Sequence, residues 1–129
     1  MFYFFLPISM FNVNRVTLLG HVTRDADARS TKTGLAVTNI GLATNYRSKD
    51  AEGKVVEEPE FHSLVCFGQL AEFSAKTALK GTPLYIEGRL HTGRFKDKKG
   101  VETSKTEVIV DKFVLLSSKQ GEVAVEAKE

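Results

Sequence analysis

Phe61 and Phe67 share one parity in EFHSLVCFGQL (residues 60 to 70) with Ser63 and Val65, while His62, Leu64 and Cys66 share the other. In a strand these two sets point to opposite faces. Both faces are therefore partly apolar, and a core needs only one. Phe95 shares parity with Arg89 and His91, opposite the apolar row Leu84, Ile86 and Leu90. Tyr46 closes another strand-like run beside Arg47 and Lys49. Aromatic rings set among cations can stack on nucleobases while the cations meet phosphates, which is how single-stranded nucleic acid is held. Each stacked base contributes ~1–3 kcal/mol. Phe67 has an equal second reading as a core residue, because Phe is often buried. Phe73, Phe113 and Phe11 read as packing residues.

The net charge is +2, too small to argue for nucleic acid by itself. Its distribution says more. Residues 89 to 105 hold Arg89, Arg94, Lys96, Lys98, Lys99 and Lys105 against Asp97 and Glu102, six minus two, a local excess of +4. On charge alone this is also what a solvated hairpin rim looks like.

Other chemistries find little support. His21, His62, His91 and Cys66 are spread one per strand, without the short spacing of paired zinc ligands. RDADAR (24 to 29) sets two carboxylates between Arg24 and Arg29, and reads as an ion pair in a turn. No Ser-His-Asp arrangement, P-loop or dinucleotide fingerprint is present. The pattern points to binding rather than catalysis, with no metal and no cofactor.

Five strand-like runs must position these residues: 14 to 25, 35 to 46, 60 to 67, 82 to 95 and 101 to 116. Gly20 and Gly41 interrupt the first two, and a Gly inside a strand often marks a bend or bulge. STKTG (30 to 34) and KDKKG (96 to 100) are turns, and the polar stretch 47 to 60 reads as a long exposed hairpin loop. Between the third and fourth runs, Leu70, Phe73, Thr77 and Ala78 fall at helical spacing, and Gly81 suits a helix stop. Bent strands with one helix after the third predict an all-β Greek-key barrel, the five-stranded OB-fold, whose face and loops bind single strands. Closure would also remove exposed edges.

The 129 residues predict one domain over 11 to 117 and a short disordered tail over 118 to 129. MFYFFLPISM (1 to 10) lacks the basic start and cleavage site of a signal peptide. Either Met10 is the true start and residues 1 to 9 an upstream extension, or the segment is an added edge strand or partner-packing patch. A single cysteine allows no internal disulfide and gives no sign of an oxidising compartment. No apolar run reaches ~18 residues, so no membrane-spanning helix is expected.

NRVTLLGHVTRDADAR, GLAVTNIGLATN, EFHSLVCFGQLAEFSAKTALKGTPLYIEGRL and KTEVIVDKFVLL follow one another in an order and spacing that resemble the bacterial and phage single-stranded DNA-binding protein family over residues 11 to 117. The resemblance implies an OB-fold assembling as a homotetramer, less often a dimer. It further implies coating of single-stranded DNA without sequence preference in replication, recombination and repair, in the cytoplasm and on the nucleoid. Preference for DNA over RNA comes from it alone. By position, Phe61, Phe67 and Phe95 match the family's stacking aromatics. Arg94 matches the basic residue before the last of these, Lys80 a basic residue after the helix, and His62 a subunit-interface residue. Phosphate contacts are expected from Arg94, Lys96, Arg89, Lys80, Arg47, Lys49, Lys98, Lys99 and Lys105.

The chain departs from that pattern in several places. It has no Trp, where many members carry two or more, so weaker stacking is expected. The family's aromatic near Ser48 is replaced by Tyr46 two residues earlier, Gly93 stands where a basic residue is common, and Gln69 where Lys is. The end EVAVEAKE lacks the family's long linker and acidic tip with its final Pro-Phe. The expectation is DNA coating without recruitment of replication and repair enzymes, as in a phage, plasmid or accessory paralogue or a truncated chain. The rival is an OB-fold protein-interaction or primosomal accessory module, in which the three aromatics would have no role.

Overall fold

The computed structural model describes residues 11–116 and the backbone of 123–128. The elements in chain order are β1 (Val16–Val22), β2 (Asp27–Ser30), β3 (Ala36–Lys49), β4 (Val55–Phe67), α1 (Gly68–Thr77), β5 (Pro83–Lys96), β6 (Glu102–Leu116) and β7 (Val123–Lys128). Neighbours run β1-β5-β6-β4-β3, and β1 returns to β3 through His21↔Ala43 and Val22↔Leu42. This closes the expected five-stranded barrel. The expectation about residues 1 to 9 lies outside the described residues. Among the described residues no helix is long and apolar enough to cross a membrane.

Alternation builds the core. Ile40, Leu42, Leu64, Cys66, Leu84, Ile86, Val110 and Phe113 are buried inside the barrel. The helix closes one end with Leu70 and Ala71, and Phe73 meets Phe113 edge-on at 5.7 Å. Two of the three residues read as packing are thus packed. The third, Phe11, is 65% exposed. Thr38, the buried polar residue of β3, donates its hydroxyl to the Ala71 carbonyl at 2.7 Å, so its burial leaves no polar group unsatisfied.

Several expectations need correction. The stretch 47 to 60 is not an open loop: β3 and β4 stay paired out to Lys49↔Val55. The turn there repeats a device used in three hairpins. Gly34, Gly53 and Gly100, all with φ between 79° and 88°, donate to the carbonyls of Thr31, Asp50 and Asp97. The side chain of that first residue accepts from backbone N–H groups: Leu35 for Thr31, Glu52 and Lys54 for Asp50, Lys99 and Val101 for Asp97. Only a left-handed residue closes such a turn cheaply. α1 ends at Thr77, and Gly81 instead donates to Val22 O at 2.7 Å in the connection to β5. Leu90, expected in the core row, is exposed because the barrel wall ends at Gly88.

Two strands are additional. β2 pairs only with β3, beside the barrel. Residues 123–128 pair antiparallel with 112–116 of β6, where a disordered tail is expected from composition. That stretch alternates Val123, Val125 and Ala127 with polar or small residues, and β6 leaves β4 after the two pairs Leu64↔Val108 and Val65↔Ile109. An edge is therefore open to it.

Candidate nucleic-acid interface

The parallel pairing of β4 with β6 sets the site. Because the strands run the same way, the β3–β4 and β5–β6 hairpins both leave the barrel at the same end. With Leu64 and Cys66 inside, Phe61, Ser63, Val65 and Phe67 face outward on β4. Across the ladder they meet Ala43, Gly41, Asn39 and Val37 of β3. The outer row continues from Val65, which is itself buried, through the half-buried Ile109 to the exposed Arg89. One outward surface thus joins the Phe61 strand to the basic hairpin.

Phe61 is 70% exposed and Phe95 49%. Phe67 is half-buried, outside the core, at the start of α1. The second reading of Phe67 as core is therefore set aside. Phe95 shares its face of β5 with Arg89 and His91, and across the ladder with Lys105 and Glu107. Leaving such rings in water forgoes ~1.5–3 kcal/mol each.

Tyr46 is 68% exposed but not beside Phe61. It pairs with Glu58, on the face shared by Thr44, Ser48, Val56, Glu60 and His62. That face holds two carboxylates and no cation, while Arg47 and Lys49 project from the Phe61 side. The grouping of Tyr46 with those cations is corrected by the register. His62 is half-buried on the same side, its Nε2 2.9 Å from Thr44 Oγ1.

The cations divide similarly. Arg89 and Lys105 lie on the Phe95 face, Arg94 and Lys96 on the other, and Lys98 and Lys99 in the turn. Lys105 meets Glu107 at 3.7 Å and Arg47 meets Glu57 at 3.8 Å, both exposed. Exposed pairs of this kind contribute ~0–1 kcal/mol and yield readily to a phosphate. Lys80 lies in the α1–β5 connection, at the opposite end from the hairpins, where its backbone N–H bonds Asp25.

Two cations missed in the sequence stand on the Phe61/Phe67 surface. The expected ion pair in 24 to 29 does not form among the described residues. Arg24 instead lies over Gly41. Arg29 pairs in register with Val37, which in turn pairs with Phe67. Asn39, its amide oxygen turned to the guanidinium, accepts from Arg29 Nε at 3.2 Å and from Nη2. Arg in a carboxylate-rich turn gave no signal of this.

A further ionic network lies outside β1. Arg15 binds Asp111 through both nitrogens, at 2.5 and 3.0 Å, and Glu87 at 2.9 Å. Tyr85 donates to Glu87. Asp111 is the extra residue where the register slips between Glu87↔Lys112 and Gly88↔Val110, so the bulge turns its carboxylate toward β1. Hydrogen bonds from Arg15 hold the Asp111 carboxyl below its ordinary pKa, and bonds from Tyr85 and then Arg15 do so for Glu87. Among the described residues no group of three His, Cys, Asp or Glu side chains converges as a metal site.

A model of the single-strand binding protein family matches residues 13–116. A single-stranded DNA-binding protein of Xanthomonas campestris pv. campestris is 34% identical over 83% of this chain and 62% of its own length. One from Xanthomonas axonopodis pv. citri is 33% identical over 83% and 59%. The chain thus spans about six-tenths of the length of these relatives. Among solved structures, the Plasmodium falciparum SSB in complex with ssDNA superposes with a TM-score of 0.73 at 25% identity, covering 82% of this chain and 96% of that one. A deletion mutant of the Thermus aquaticus single-stranded DNA binding protein gives 0.67 at 26%, covering 81% and 57%. With an OB barrel, an outward aromatic strand and this match over most of its length, the chain belongs to the single-strand binding protein family.

Proposed function

We propose that the protein coats single-stranded DNA without sequence preference, in replication, recombination and repair. The observation that carries this is the exposed Phe61 on an outward face continuous with the basic β5–β6 hairpin. Phe61, Phe67 and Phe95 stack bases, while Arg89, Lys105, Arg94, Lys96, Lys98, Lys99, Arg47 and Lys49 meet phosphates and release counterions. Lys80 serves only a strand that continues past Phe67 around the helix end. Tyr46 stands apart from this surface. DNA rather than RNA is the ligand, and the protein works in the cytoplasm on the nucleoid.

The working form is a homo-oligomer, a tetramer in this reading. Support comes from β1, which pairs with β3 only at His21 and Val22 and leaves the edge of 16–20 unpaired among the described residues. Leu19 is exposed on that strand. His62 is assigned to a subunit interface. Joining several faces lets one strand wrap across subunits with a gain from effective concentration.

Fluorescence anisotropy of labelled oligo-dT against a matched duplex, at low and moderate salt, tests the reading. Tight binding to the single strand that weakens steeply with salt is expected. Equal binding to the duplex, whose base faces are hidden, would overturn it.

A further inference from the structure

The segment between β1 and β2 crosses the edge of β3, where the Thr23 N–H donates to Gly41 O at 2.9 Å. A Cβ on Gly41 would collide with Thr23 Oγ1 and stand 3.0 Å from Arg24 Nη1 and 3.5 Å from Cζ. The guanidinium therefore lies against the glycine itself. Gly41 pairs with Ser63, which stands between Phe61 and Phe67 on the outward face. The adjacent Asp25 makes no ion pair with Arg24 among the described residues; its carboxylate accepts the Lys80 N–H at 2.9 Å. Two positions along β3, Arg29 is held by Asn39 in the row that ends at Phe67. Two guanidinium groups without an ion-pair partner among the described residues thus flank the aromatic row, on the side away from the basic hairpin.

We infer that Arg24 and Arg29 form a second phosphate rail along the Phe61/Phe67 face, and that Gly41 is the positioning residue that seats Arg24 on it. The ligand is the phosphodiester backbone of a single strand, and the inference rests on the function proposed above. Planar guanidinium groups suit phosphate oxygens. A strand whose bases stack on Phe61 and Phe67 then runs its backbone past the β1–β2 connection. The requirement at Gly41 is spatial, because its φ is not left-handed. The atoms that crowd it belong to side chains, the Thr23 hydroxyl and the Arg24 guanidinium, and not to backbone. Alanine there needs the Thr23 hydroxyl to rotate away as well as Arg24 to swing off the face, two side-chain movements that leave the sheet intact.

The test is a salt series of oligo-dT affinities for wild type, Arg24→Gln, Gly41→Ala and the double variant. Arg24→Gln is expected to weaken binding several-fold at low salt and reduce the slope of log affinity against log salt by about 0.7, one phosphate on a single strand. Gly41→Ala should reproduce both changes, with no further loss in the double variant. Phe61→Ala should weaken binding without changing the slope. A merely structural role for Arg24 would shift melting temperature and leave the slope alone. Wild-type binding with unchanged affinity and slope in Arg24→Gln would overturn the inference and leave the proposed function standing. Additive losses in the double variant would overturn the seating by Gly41. If Gly41→Ala does not fold, the slope of Arg24→Gln decides the phosphate contact, and Gly41→Ala combined with Thr23→Ala, which removes the hydroxyl nearest the added methyl, checked for folding first, decides the seating by whether it lowers the slope as Arg24→Gln does. Failure of wild type to bind oligo-dT would remove both.

Discussion

Phe61 and Tyr46 stand on opposite faces of one ribbon, Phe61 across from Ala43 and Tyr46 across from Glu58. Carboxylates of Glu58 and Glu60 repel phosphate from the Tyr46 side, while Arg47 and Lys49 attract it to the other. Phe61→Ala should therefore weaken oligo-dT binding about tenfold or more, from the ~1–3 kcal/mol of a stacked base. Tyr46→Ala should change it by less than about threefold, well under one stacked base. Anisotropy titrations at one salt concentration compare the two. Equal losses would show that the strand visits both faces.

The Arg15 network should leave an acid signature. The Asp111 and Glu87 carboxyls titrate below their ordinary values in the folded chain. Stability from them is therefore present above the ordinary carboxylate range, about pH 4, and is lost as pH falls through the lowered folded values. Wild type should lose melting temperature more steeply than Asp111→Asn as pH falls below about 4, and the two should converge in acid. Since the groups are partly exposed and solvent screens them, the difference at neutral pH is modest. Parallel curves throughout would show the network to be energetically idle.

Gly53 turns the β3–β4 hairpin with φ 82° and nothing near a substituted methyl. Gly53→Ala should cost about 1 kcal/mol from the left-handed backbone alone, lowering the melting temperature by roughly 4 °C. Asp50→Ala, which loses two turn hydrogen bonds, should cost about as much. Differential scanning calorimetry resolves both, and an unchanged Gly53→Ala would mean the turn rearranges freely.

Two glycines of β5 give opposite expectations. A methyl on Gly88 collides with the Ile109 carbonyl, a backbone atom that cannot swing away. Gly88→Ala should cost about 3 kcal/mol or more, at the upper end of overpacking. Gly93 has nothing within 4 Å, so Gly93→Ala should be neutral or slightly stabilising, by less than about 1 kcal/mol. Urea midpoints separate them, and similar midpoints would contradict the packing at the bulge.

What was legible in the sequence follows burial. Leu64, Cys66, Leu84 and Ile86 alternate because one face is dry, and the barrel and the outward Phe61 follow from that parity. The helix was legible from Leu70 and Phe73. Beyond the barrel wall both faces are wet, so Arg47, Glu57, Glu58 and Val55 carry no alternation although they are fully paired. DAEG matches DKKG in its aspartate and glycine, and this was the available sign of that turn. β2 is four exposed residues and offers no pattern at all. Arg24 was misread because its placement depends on a missing side chain, Gly41, on another strand. Leu90 continued the apolar row past the point where the wall stops.

β1 is the first of the described strands to be synthesised and among the last that can be satisfied. Its anchor at Asn14 and Leu90 spans 76 positions, and its ladder needs β5 in place from Pro83 to Gly88. Local hairpins such as β3–β4 can form early, while loop-closure entropy delays so distant a pairing. A nascent chain must therefore carry Val16, Leu18 and Leu19 without partners until β5, 76 positions on at the Asn14–Leu90 anchor, has been made, on the order of several seconds at ~5–20 residues per second. Substitutions that slow β5 from joining, more than those that weaken the β3–β4 hairpin, should lengthen that interval and raise the loss of chain to aggregation.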